Sequence, residues 1–188
     1  KFFLDAANAT ELESILFLGY LPPVNQLIRI GEHPKEQPSF PAELLYCEKS
    51  CLAQLGLIVN PRILFPPEYP YTSSTTKILR DNFCELYDEL TSLYDLEEND
   101  LVIDIGSNDG NLLSNFQHKH KILGITPEKI GHTAIKNGIP TIIDYFSRDV
   151  VNDILINYGK AKIITATNVF AHIDNINEVV NMIEDLLM

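Results

Sequence analysis

The chain has 188 residues, of which 45% are hydrophobic and 21% charged; 26 Asp and Glu outweigh 14 Lys and Arg, for a formal charge of −12. That apolar share suffices for a packed core and excludes wholesale disorder, while the charge would repel a nucleic-acid backbone or an anionic membrane surface. No apolar run approaches the roughly 18–20 residues that span a bilayer, and the apolar part of Lys1-Phe2-Phe3-Leu4-Asp5 is too short for a signal peptide. The expected picture is one domain of ordinary size, or one domain with a small appendage, with neither nucleic acid nor membrane as partner. Because residue 1 is not Met, the natural chain is expected to start upstream. Cys47, Cys51 and Cys84 make an odd, irregular set, which points to a reducing, cytoplasmic compartment.

Nine of the eleven prolines precede residue 75, so residues 1–74 are predicted to be a small lobe of loops and short strands. The boundary is placed at roughly 72–78. Beyond it, residues 75–188 alternate strands and helices. Apolar spacing predicts a helix over Thr76–Leu96 and a buried strand at Leu101–Ile105. Then follow a helix Asn111–His118, a strand Lys121–Ile125 and a helix Pro127–Asn137 stopped by Gly138. A strand Thr141–Ile143, a helix Ser147–Tyr158 capped by Ser147, a strand Ala161–Thr165 and a helix Asn175–Leu187 complete the series. This rhythm means parallel pairing through right-handed crossovers, an α/β fold of Rossmann type. With four strands the sheet looks truncated after the fourth, whose open edge calls for a partner chain, an oligomer or a missing C-terminal part.

The stretch Asp104-Ile105-Gly106-Ser107-Asn108-Asp109-Gly110 follows the first of these strands and opens a helix. Ligands of open α/β sheets bind at that place. Glycines permit a sharp turn and close backbone approach, and Asn108 tolerates the left-handed region. The dinucleotide pattern Gly-x-Gly-x-x-Gly is not met, which disfavours a nicotinamide oxidoreductase. Asp104 and Asp109 suit a cationic or amino-bearing ligand better than a pyrophosphate, and adenosylmethionine carries both a sulfonium and an amino group. A plain strand-to-helix turn without a ligand is the competing reading.

The run Leu101–Leu113 resembles the first motif of a family of S-adenosylmethionine-dependent C-methyltransferases acting on nucleotide-linked deoxysugars. The stretches Leu18–Gln26, Phe65–Tyr71, Thr75–Phe83, Gly138–Ile142 and Thr167–Ile173 resemble the same family in the same order. The resemblance implies a class I methyltransferase fold with an N-terminal zinc-binding-like lobe, S-adenosylmethionine as cofactor and a nucleotide-linked keto-sugar as substrate. It implies that Gly106, Asn108, Asp109 and Gly110 wrap the methionine part, with Asp104 ordering the turn from beneath. Thr126 stands where this fold usually has an acidic residue for the ribose hydroxyls, and Glu128 is the nearby substitute. Asp144 and Tyr145 match the adenine contact, Asn168 lies on the same rim, and Tyr71, Thr72 and Ser73 match a segment closing over the site from the first domain. Lys77 and Arg80 are candidates for the substrate's phosphates.

The family's zinc site uses two Cys-x-x-Cys pairs. Here no cysteine precedes Cys47, and Cys47 and Cys51 are separated by three residues. Asp5 and His33 would have to be recruited to complete a tetrahedral shell; the other reading is two buried thiols in a degenerate lobe, with Cys84 in the helical core. Carbon methylation needs a general base to form the nucleophile. The family's base segment follows a fifth strand that this sequence does not reach, which leaves Tyr69, Tyr71 and His172 as local candidates. His172 reads equally well as a loop histidine bonded to backbone. Two functional classes therefore stand: a sugar C-methyltransferase, or a non-catalytic remnant acting as a binding or structural module.

Overall fold

The computed structural model describes residues 11–24, 27–33 and 36–188. Asp5, and Asn25 and Gln26 of the first quoted motif, lie outside the described residues. The chain divides into two compact units at Pro66/Pro67.

In the first unit, β1 (Glu13–Leu21) pairs antiparallel with β2 (Phe40–Cys47), which pairs antiparallel with β3 (Leu52–Leu55). With nine and eight residues, β1 and β2 are longer than the proline content suggests. The reason is where the prolines fall. Pro22 and Pro23 follow β1, Pro41 sits at the start of β2, and none occurs between residues 42 and 60. Helix α1 (Pro61–Leu64) starts with proline and is capped by Asn60, whose side chain accepts from the Arg62 N–H.

The second unit begins with an extended segment and a 3₁₀ turn at Ser73–Thr75, followed by α2 (Lys77–Leu93). Four parallel strands follow: β4 (Leu101–Ile105), β5 (Lys121–Ile125), β6 (Thr141–Ile142) and β7 (Ile163–Thr165), in the order β6-β5-β4-β7. The helices between and after them are α3 (Asn111–Ser114), α4 (Gly131–Lys136), α5 (Arg148–Asn157) and α6 (Ile176–Leu186). The architecture is mixed α/β, with a parallel sheet of partial Rossmann type and a separate small antiparallel sheet. β4 is buried along its whole length because helices cover both faces. Leu101, Ile103 and Ile105 face a core built with α5 and α6, through Val151, Ile154, Met182 and Leu186. Val102 belongs to the opposite core, with Phe83 of α2, Leu112 and Leu113 of α3, and Phe116.

Two helices are shorter than their periodicity predicts. After Ser114 the amide of Asn115 donates to the carbonyls of Asn111 and Leu112, and the backbone continues in i→i+3 bonds. Before α4, the N–H groups of Gly131, His132 and Thr133 reach back three residues, so Pro127–Ile130 forms tight turns. Asn175 and Ser147 cap α6 and α5, and both helices lie within a residue of the predicted bounds. At the outer edge of β7, the backbone after α6 returns to form one parallel bridge between Ala161 and Leu187. Along Ile163–Thr165 no strand lies on that side among the described residues.

Candidate functional site

The parallel register sets Asp104 between Gly124 of β5 and Thr165 of β7. Its carboxyl is buried, and Oδ1 accepts from the Thr165 hydroxyl at 2.7 Å. Burial pushes its pKa up to about 7, while the Thr165 bond pulls it down. Near neutrality the group is therefore poised between a hydrogen-bonding acid and an anion at the floor of the turn. Gly124 leaves space over the strand, which the Ser107 side chain fills: a Cβ at 124 would come within 2.4 Å of Ser107 Oγ.

From Ile105 the chain turns through Gly106 at φ +76°, Asn108 at +51° and Gly110 at +78°. The first turn is fixed by the N–H groups of Gly106 and Ser107, which donate to the Ile125 carbonyl. No side chain fits at 106, since a Cβ would lie 2.2 Å from Cγ2 of Val169 in the loop after β7. The side chains of Asn108 and Asp109 turn to the segment before α2. Asn108 Oδ1 accepts from the Ser73 N–H at 2.9 Å, and its Nδ2 donates to the Tyr71 carbonyl at 3.1 Å. Asp109 Oδ2 accepts from the Ser74 N–H at 3.2 Å. Segment 71–75 thus lies within the second unit rather than reaching over from the first. Three buried side-chain oxygens at the turn have no partner among the described residues: Ser107 Oγ, Asp109 Oδ1 and Asn111 Oδ1.

At the end of β5, Thr126 is fully buried and its hydroxyl donates to Glu128 Oε2. Thr126 therefore orients Glu128. Asp144 is exposed after β6, with Oδ1 accepting from the Tyr145 N–H. Asn168 is exposed and left-handed (φ 55°) after β7. It borders a groove of about 370 Å³ whose other wall is α2, with Leu79, Phe83 and Leu86 inside and Glu85 and Glu89 at the lip. The donor set at the turn fits an adenosyl amino acid. Ser107 Oγ, Asp109 Oδ1 and Asn111 Oδ1 can each accept a hydrogen bond from an ammonium group, while the side-chain-free face of Gly106 is filled by the isopropyl group of Val169.

Residues 6–65 match the model of a family described as "Putative zinc binding domain". The C-methyltransferase NovU of Streptomyces niveus is 27% identical over 175 residues, which cover 92% of this chain and 41% of that protein. The chain spans about two fifths of the length of this curated relative.

The lobe that matches the zinc-binding description holds no group of three or more His, Cys, Asp or Glu that could ligate a metal, among the described residues. Cys47 is buried at the end of β2. Cys51 is exposed, contrary to the expected pair of buried thiols, and its Sγ lies 3.7 Å from the Glu48 carbonyl. The described residues do not make up a zinc shell. Cys84, expected in the core, is exposed on α2; the helix's buried stripe runs through Phe83 one residue earlier. Lys77 pairs with Asp81, and Arg80 donates to the Ser74 carbonyl at 2.5 Å. His172 is exposed on a 3₁₀ turn, Tyr71 is exposed, and Tyr69 is half-buried. Sequence reasoning missed Val169, Thr165 and Ser74. Only Thr165 carried a signal, a hydroxyl in register with a buried acid on the neighbouring strand.

Proposed function

We propose that the second unit binds S-adenosylmethionine at the 106–110 turn, as part of a methyltransferase acting on carbon of a nucleotide-linked deoxy-keto-sugar. The observation that carries the reading is that three side-chain oxygens within residues 107–111, just past the carboxyl end of β4, are buried without a hydrogen-bond partner among the described residues. Each such atom costs about 1–3 kcal/mol unless a ligand or water satisfies it. Bound there, the cofactor would supply a sulfonium methyl group as electrophile. Asp109 would receive the amino group at Oδ1, while Gly106 and Gly110 supply the positive φ of the turn and its close packing on Val169 and on Ile139 and Ala134. Glu128, held by Thr126, would accept from the ribose hydroxyls, while Asp144 and Tyr145 would border the adenine. Asn168 and the groove beneath α2 would face the acceptor sugar. The unpaired thiols fit a cytoplasmic setting.

Titration calorimetry with S-adenosylmethionine and S-adenosylhomocysteine tests this reading. Saturable binding is expected for the chain, with affinity at least tenfold weaker in Asp109→Asn, which sets an amide donor where an acceptor oxygen stood. Absence of heat at millimolar ligand overturns the cofactor assignment.

A further inference from the structure

Segment 71–75 lies between two anchors. On one side Asn108 spends both ends of its amide on it, accepting from Ser73 N–H and donating to the Tyr71 carbonyl. That two-point clip imitates a strand-to-strand bridge, and it is made by a residue whose own backbone is left-handed (φ 51°). On the other side Arg80 of α2 holds the Ser74 carbonyl, and the Thr75 N–H closes the turn onto Thr72. Asp109 completes the arrangement asymmetrically. Its Oδ2 takes the Ser74 N–H, and its Oδ1, on a residue only 7% exposed, has no partner among the described residues.

We propose that Asn108 and Asp109 are positioning residues that clip the 71–75 strap to the glycine turn, and that a cationic ligand at the turn and an ordered strap stabilise each other. This rests on the cofactor reading above. One carboxylate carries both interactions, so a donor at Oδ1 fixes the same side chain that holds Ser74 through Oδ2. Whatever the ligand gains from a pre-set Asp109, the strap gains from the ligand, because coupling between two binding events is reciprocal. The side chain of Asn108 serves the strap rather than the ligand. The strap in turn carries Tyr71 beside the turn.

Amide exchange of the full chain, read by NMR with and without S-adenosylhomocysteine, tests this. Ligand should slow exchange at the Ser73 and Ser74 N–H groups by roughly fivefold or more, the low end of ordinary coupling. Asn108→Gly removes the clip while tolerating positive φ. It should speed Ser73 exchange at least tenfold, weaken S-adenosylhomocysteine binding about fivefold, and leave the β4 amides unchanged. Asn108→Asp keeps the acceptor for Ser73 but not the donor to Tyr71, and should fall between the two. Ligand binding that leaves the strap amides untouched, or full affinity in Asn108→Gly, overturns the coupling while sparing the cofactor site. If the wild-type chain does not bind at all, the cofactor reading and the coupling fall together. The clip then stands or falls on Ser73 exchange in unliganded Asn108→Gly.

Discussion

Replacing Asp104 by Asn should stabilise the second unit in a way that depends steeply on pH. The carboxyl is buried in β4, and burial raises its pKa from 3.8 to about 7 in the folded state. A raised pKa means that the folded chain binds the proton more tightly than the unfolded one. Below pH ~4 both states are protonated and the acid costs nothing extra. As pH rises towards 7 the unfolded state loses its proton first, and stability falls by about 1.4 kcal/mol per pH unit. Above pH ~7 the whole penalty is present, about 4 kcal/mol for a shift of about three units. Asn keeps an oxygen for the Thr165 hydroxyl and has no charge to bury. The difference between Asp104→Asn and wild type should therefore be near zero at pH 4 and grow to several kcal/mol at pH 8. Urea unfolding followed through exchange of the β4 and β5 amides reports the second unit alone. Thr165→Val provides a second arm, since loss of the bond that favours the anion should raise the folded pKa and extend the decline to higher pH, with its onset unchanged. A difference that stays flat from pH 4 to 8 would refute the assignment of a buried, nearly neutral carboxyl to this position.

Gly106→Ala should cost about 2–5 kcal/mol, combining the left-handed penalty with overpacking against Val169. Adding Val169→Ala should return the overpacking part and leave roughly 1–2 kcal/mol; full recovery in the double variant would contradict the strained φ. Val169→Ala alone should bind S-adenosylhomocysteine at least as well as wild type, because it only opens the face of Gly106. In the native chain a thiol reagent should label exposed Cys51 and Cys84 promptly and buried Cys47 only on unfolding. Three equal rates would show that β2 does not bury its last residue.

The parts of the fold legible in the sequence are those decided by short-range chemistry. The run Leu101–Ile105 could only be a covered strand, Ser147 declared the start of α5, and the stripe through Leu79, Phe83, Leu86 and Leu90 declared α2. What stayed hidden depends on contacts distant in sequence. The periodicity of 111–118 and 127–137 predicts full helices, but Asn115 diverts two carbonyls and the turns after Pro127 use three-residue bonds. The glycine turn was visible as a turn, and its acids were visible as acids. That Asn108 and Asp109 reach 35 residues back to Ser73 and Ser74 was not visible, because nothing in their local pattern names the partner.

The polar atoms of the turn divide into two sets, and the division bears on what the turn is for. Those that shape it are satisfied within the protein. The N–H groups of Gly106 and Ser107 share the Ile125 carbonyl, Asn108 uses both ends of its amide, Asp104 holds Thr165, and one oxygen of Asp109 holds Ser74. Three buried side-chain oxygens, of Ser107, Asp109 and Asn111, have no partner among the described residues and fall within a stretch of five residues. A turn built only to join a strand to a helix gains nothing from leaving them without partners, since apolar or glycine replacements at those positions would avoid the desolvation cost. A ligand that presents donors recovers the cost at the moment of binding. In the proposed function that ligand is S-adenosylmethionine, and the loss of binding expected in Asp109→Asn follows from the same accounting.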